Sequence, residues 1–143
     1  MGIARSFPIA LAVLSVACHS SPIGPGAGRV VGIIDAGQSL PQVIDAPAQA
    51  SLGQSFSVTV STIGNSCVRP AGADVTIDGL VATITPYDVE FVTGVTCLEI
   101  PKASPHVLQL SFEQAGTATI RAKGRSDYQP GLVTVERSLI VSQ

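Results

Sequence analysis

The side chains in this sequence that could do chemistry beyond packing are few. There are three cysteines, Cys18, Cys67 and Cys97, and two histidines, His19 and His106. A cysteine nucleophile needs a histidine base beside it. A structural zinc site needs about four ligands at suitable spacing. His19 sits among Ser, Pro and Gly residues, which leaves His106 for the whole of residues 29–143. A Ser-His-Asp arrangement would therefore rest on His106 alone. It lies between Pro105 and Val107, at the start of an apolar run, and reads as a surface or capping residue. Asp88 and Glu90 are two apart and share a strand face, as a pair of glycosidase carboxylates would. A domain of this length without long loops has little from which to build an enclosing cleft, so both read as solvated. The stretch "GPGAG", 24–28, has no strand before it and no helix after it, and so fails as a dinucleotide fingerprint. No cluster of Asp and Asn suggests calcium. The expectation is no catalytic residue, no metal and no cofactor.

The opening residues concern location instead. Arg5 is the only Lys, Arg, Asp or Glu before Arg29. From Phe7 to Ala17 the chain is apolar except for Pro8 and Ser15. That run is too short to span a bilayer and suits the core of an export signal. It ends in "LSVAC", with small Ala17 before Cys18. Leu14, Ser15, Val16, Ala17 and Cys18 resemble a bacterial lipobox, although the position three before the cysteine holds Ser15 and the leucine lies one further back. The resemblance implies that a diacylglyceryl group is attached to the Cys18 thiol and that the chain is cut before it. On this reading residues 1–17 are a lipoprotein signal peptide, 18–28 a flexible tether and 29–143 the folded domain. The tether sequence "HSSPIGPGAG" is rich in Pro, Gly and Ser and uncharged, and cannot bury enough apolar surface to order itself. His19, rather than Asp, follows the cysteine. By the same resemblance this points to the outer membrane in a Gram-negative host. The alternatives are a plain secretory cut near Ala17, giving a soluble periplasmic or secreted protein, and a cytosolic chain in which the run is buried.

An acylated Cys18 leaves Cys67 and Cys97 as an even pair in an oxidising compartment, and a disulfide between them is expected.

The domain must then be assembled from short apolar runs. Its 14 Gly and 10 Pro punctuate the chain often, charged residues make up only 13%, and Trp is absent. The net charge of −2 and the scattered basic residues do not fit a nucleic-acid partner. Arg121, Lys123 and Arg125 alternate with Ala122 and Gly124, which places all three on one solvated strand face. "SFSVTVSTIG" alternates cleanly, with Phe56, Val58 and Val60 on one side. "QVIDAPAQASLGQ" is a strand broken at Pro47, with a bend at Gly53. "NSCVRPAGA" reads as a loop held by Cys67. "DVTIDGLVATI" is a hairpin, with Asp78-Gly79 as its type I′ turn. "VLQLSFEQAGTATIRAKG" is two antiparallel strands, with Leu108, Leu110 and Phe112 inward on the first and Ala118, Ile120 and Ala122 on the second. "LVTVERSLIV" is the last strand.

Seven to nine short strands with no amphipathic helix predict an all-β, immunoglobulin-like antiparallel β-sandwich; a small β-barrel is the alternative. "ASLGQSFSVTV" and "AGTATIRAKG" resemble the early and late strands of bacterial Ig-like extracytoplasmic domains. The whole chain resembles a small bacterial lipoprotein. Cys67 and Cys97 depart from antibody domains, since they do not flank a Trp at mid-strand, so their bridge would be a local staple. The function implied is a non-enzymatic module held at a membrane through lipid on Cys18. It would meet a protein or glycan through loops such as "RSDYQPG", centred on Tyr128. An envelope inhibitor or chaperone is the second expectation, and an enzyme with an unrecognised site the third.

Overall fold

A computed structural model describes residues 28–35, 42–90 and 96–143. The expected signal peptide, Cys18 and the expected tether up to residue 27 lie outside the described residues. Ten strands appear in chain order: β1 (Val30–Val31), β2 (Ile33–Asp35), β3 (Ile44–Asp45), β4 (Gln49–Ser51), β5 (Phe56–Gly64), β6 (Val68–Asp78), β7 (Val81–Glu90), β8 (Lys102–Leu110), β9 (Gly116–Ser126) and β10 (Leu132–Ser142). They form an all-β sandwich. One layer runs β6-β7-β9-β10, with β1 extending along β7 and β4 along β10. The facing layer is β8-β5-β3. β2 joins the two, pairing Ile33 with Ile63 of β5 and with Arg125 of β9.

The strands exceed the expected number because residues 30–51 form four short pieces that change partners. Pro47 lacks an N–H, so the ladder cannot continue through it. β3 pairs with β5 before that proline and β4 pairs with β10 after it. Arg137 secures the crossing by donating to the carbonyl of Ala46 at 2.8 Å. The sheet is mixed, not purely antiparallel: β7 with β9, β2 with β9 and β4 with β10 run parallel.

Period-2 alternation builds the core. Val58 and Val60 on β5, Ala82 and Ile84 on β7, Leu110 on β8, Ala118, Ile120 and Ala122 on β9, and Leu139 and Val141 on β10 all point inward. Phe112 and Phe56 stack at one end with centroids 5.9 Å apart. Arg121, Lys123 and Arg125 lie together on the exposed face of β9, as expected, and Arg121 pairs with Glu136 at 2.7 Å.

Two local expectations are corrected. Asp78 pairs with Val81, so the turn residues are Gly79 and Leu80. Gly79 has φ +56° and among the described residues no non-glycine residue, Leu80 included, has positive φ, which is the sign pattern of a type II′ turn rather than I′. The segment after Cys67 is strand β6, not a loop. A bulge between Pro70 and Ala73, with Gly72 at φ +87°, lets the proline sit in it.

The first described residues are fastened to the outer face of the sandwich. The Arg29 guanidinium lies 3.6 Å from the Tyr87 ring centroid and bonds Asp74 at 2.7 Å, and the Tyr87 hydroxyl donates to Asp74 at 2.9 Å. The Arg29 hydrogen bond, then that of Tyr87, holds the Asp74 carboxyl below its ordinary 3.8. Asp74 in turn pushes the Tyr87 hydroxyl above its ordinary 10.0. A lowered carboxyl pKa contributes stability above the unfolded value that is lost as pH falls through the folded one. A raised phenol contributes below pH 10.0 and fades as pH rises through its folded value. Arg29 and Asp74 are exposed and Tyr87 is only half-buried, so the effect is small. Asp74→Asn is expected to flatten the acid limb of the unfolding midpoint against pH; an unchanged limb would place the clamp outside the stability of the fold.

Candidate functional site

The inward alternation of three strands does not stop where the apolar residues do. On β5, Val58 and Val60 are followed by Thr62. On β7, Ala82, Ile84 and Pro86 are followed by Asp88. On β8, Leu110 and Leu108 are preceded by His106 and Ser104. The β5–β8 register sets Val60 against His106 and Thr62 against Ser104. Asp88 arrives from the opposite layer. The result is a buried polar cluster spanning the two layers. Asp88 Oδ1 lies 3.1 Å from His106 Nε2 and 3.1 Å from Thr62 Oγ1. Thr62 Oγ1 is also 3.2 Å from His106 Nε2 and 3.3 Å from the Ser104 carbonyl.

His106 is thus 4% exposed rather than a surface or capping residue. Asp88 is also 4% exposed, whereas Glu90 is solvated, so the two carboxylates share a strand but not an environment. The alternation running backward from Leu110 is the signal that placed His106 inside. It was hidden by Pro105, which suggested a strand start.

The hydrogen-bond inventory limits what this cluster can do. An ionised carboxylate only accepts, and opposite an ionised Asp88 the donor of this contact is Nε2. The Thr62 hydroxyl has one proton to give to Asp88 or to Ser104. Nδ1 of His106 is buried with no hydrogen-bond partner among the described residues. A catalytic triad needs the carboxylate on one ring nitrogen and the nucleophile on the other. Here both sit on Nε2, and Thr62 is fully buried. The geometry ties two layers together and does not relay a proton to a nucleophile. No group of three or more His, Cys, Asp or Glu residues that could hold a metal occurs among the described residues.

Gly32 packs onto this cluster. A Cβ there would lie 2.3 Å from Thr62 Cγ2 and 2.7 Å from Asp88 Oδ2. Thr62 is stiff at χ1 and cannot swing aside freely. Gly32→Ala is therefore expected to destabilise by about 1 to 3 kcal/mol through overpacking. Urea unfolding followed by far-UV circular dichroism measures it, and an unchanged midpoint would mean the chain bends away from the cluster without cost.

Above the cluster, at the same end, a groove of about 330 Å³ opens to solvent. Asp88 reaches it, Ile33, Ile63 and Ile100 give it an apolar floor, and Glu90, Glu99 and Asp127 add carboxylates. Arg125 also lines it, and its Nε donates to the Val31 carbonyl at 2.6 Å. The cysteines lie beside this end. Cys67 and Cys97 form a disulfide, with Cα atoms 5.4 Å apart. Ser66 and Leu98 reinforce it. Leu98 N–H donates to the Ser66 hydroxyl at 2.8 Å, and Ser66 N–H donates to the Leu98 carbonyl at 3.1 Å. The Asn65 side chain caps the turn by accepting from Cys67 N–H at 2.9 Å. The bridge joins the start of β6 to the segment after β7, a local staple rather than a bond through the core. Tyr128, expected at the centre of a recognition loop, is 71% exposed, and its N–H donates to the Ser126 hydroxyl at 3.1 Å.

Comparison with known proteins finds no counterpart: no family model, no curated protein and no solved structure matches this chain.

Proposed function

We propose that this chain is an exported β-sandwich module, held at a cell envelope through lipid on Cys18, whose role is to present a recognition surface rather than to carry out catalysis. The observation that carries the reading is the Cys67–Cys97 disulfide. Structural disulfides persist in oxidising compartments and are rare in the cytosol. That agrees with an export leader ending at Cys18. A single acyl chain binds a membrane only marginally, so stable anchoring calls for more than one. The recognition surface on this reading is the groove beside the disulfide and the neighbouring Tyr128 loop, which lie on a rigid scaffold where binding residues are usually found. A partner there would be a protein or a glycan.

Intact mass of the full chain expressed in a bacterial host, taken from membrane and soluble fractions, tests the address. The expected species starts at Cys18, is heavier by acyl groups, partitions with the membrane and gains about 2 Da on reduction as two thiols form. An unacylated soluble species would remove the anchor. A cytosolic chain retaining Met1, with both thiols free, would remove the whole reading.

A further inference from the structure

Among the described residues β6 is an outer strand, paired with β7 and with no other strand. Its register sets Val75 against Ile84 and Ile77 against Ala82, both fully buried core residues. Directly opposed residues of a ladder share a face. Val75 and Ile77 therefore belong to the core side of the sheet, yet they are 38% and 46% exposed. They lie on the outermost strand of their layer, where the facing layer does not cover them fully. An apolar half-face is left facing solvent, beside a row of unpaired backbone groups.

The two-residue turn at Gly79-Leu80 decides which groups those are. In such a hairpin the flanking pair, Asp78 and Val81, exchanges hydrogen bonds. Alternation then turns the backbone of Asp78, Thr76 and Asp74 toward β7, and that of Ile77, Val75 and Ala73 outward. We infer that a second copy of this chain adds its own β6, antiparallel, to this edge. With the two-fold axis at Val75, Val75 faces the partner's Val75, and Ala73 and Ile77 face the partner's Ile77 and Ala73. Every outward N–H and C=O of the three residues finds a partner, and all the facing side chains on the core side are apolar.

Charge is compatible with the same register. On the outer face Asp74 meets the partner's Thr76, and Asp78 meets the partner's Gly72, so no carboxylate opposes another. Arg29 already neutralises Asp74. Shifting the axis to Thr76 would set Asp74 against the partner's Asp78, a like-charge pair that destabilises. One strand edge buries less than the ~1,200 Å² of a stable interface. The dimer is therefore weak and forms where chains are concentrated.

Cross-linking of the full chain tests it. Directly opposed residues of a hydrogen-bonded pair lie ~5.5 Å apart at Cα, within disulfide range. Val75→Cys is expected to yield at least tenfold more disulfide-linked dimer on a non-reducing gel than either Thr76→Cys or the unaltered chain, with the bond mapped to position 75. Ile77→Cys and Ala73→Cys, weak alone, are expected to link to each other when mixed, which keeps the test open should Val75→Cys misfold. Equal dimer at positions 75 and 76, or no gain on mixing, would overturn the inference. It would leave the edge to another occupant, such as a basic extended peptide drawn to Asp74 and Asp78.

Discussion

Asp88→Ala is expected to cost the fold about 2 to 4 kcal/mol, because it leaves two buried polar groups without the hydrogen-bond partner they share. Both Asp88 and His106 are nearly fully buried, and no other carboxylate of the described residues bonds the histidine. The loss falls on His106 Nε2 and Thr62 Oγ1 together, since both use Asp88 Oδ1. For a domain of this size it corresponds to a fall of roughly 10 to 20 °C in Tm. A second variant separates burial from partnership. Thr62→Val, Asp88→Leu and His106→Leu combined replace the whole cluster with apolar groups, and such replacements are often neutral or stabilising. Thermal unfolding of the two variants is expected to rank the triple above Asp88→Ala. A loss below about 1 kcal/mol for Asp88→Ala would show that solvent replaces the missing carboxylate, and the account of a sealed cluster would fail.

Removing the disulfide through Cys67→Ser with Cys97→Ser is expected to cost about 3 to 4 kcal/mol on the chain-entropy account, for a loop of 30 residues' separation. Dithiothreitol acting on the unaltered chain is expected to lower the urea midpoint by the same amount. The substituted chain is expected not to respond to reductant at all. Two Ser66–Leu98 hydrogen bonds, which do not involve the cysteines, join the same two segments. If they suffice, the loss drops below about 1 kcal/mol, and the bridge contributes little to stability. The disulfide and the Asp88 cluster both act at the groove end of the domain but share no bonded atom. Combining the substitutions tests whether that end unfolds as one unit, since independent sites add to within about 0.5 kcal/mol.

Much of the fold was legible in the chain. Alternation over 56–60, 108–112 and 118–122 identified inward faces that the structure keeps. The hairpin before Val81 was marked by Asp78-Gly79, although the turn moved by one residue. That shift followed from pairing: Asp78 was needed in the ladder opposite Val81, leaving Gly79 to supply the positive φ. The segment from Cys67 to Ala73 was misread because Pro70 and Gly72 are turn residues by local preference. A bulge accommodates both on a strand with an open edge.

The sequence by itself determined the all-β class and the faces of the long strands, because alternation is a property of the linear chain; with three cysteines, the pairing of Cys67 with Cys97 was expected only on the reading that sets Cys18 apart. Only the tertiary structure decided which parts of those faces are covered. Thr62, Asp88 and His106 lie on three separate strands and from two layers, and nothing local in any one of them signals the other two. Gly32 is required because the chain passes close over that cluster, a constraint set by its neighbours and not by its own turn. Val75 and Ile77 carry the inward pattern and still meet solvent, because they lie on the outermost strand of their layer. A strand's period tells which side of a sheet a residue occupies. Burial depends as well on what stands across from it, and that is fixed only when the two layers close.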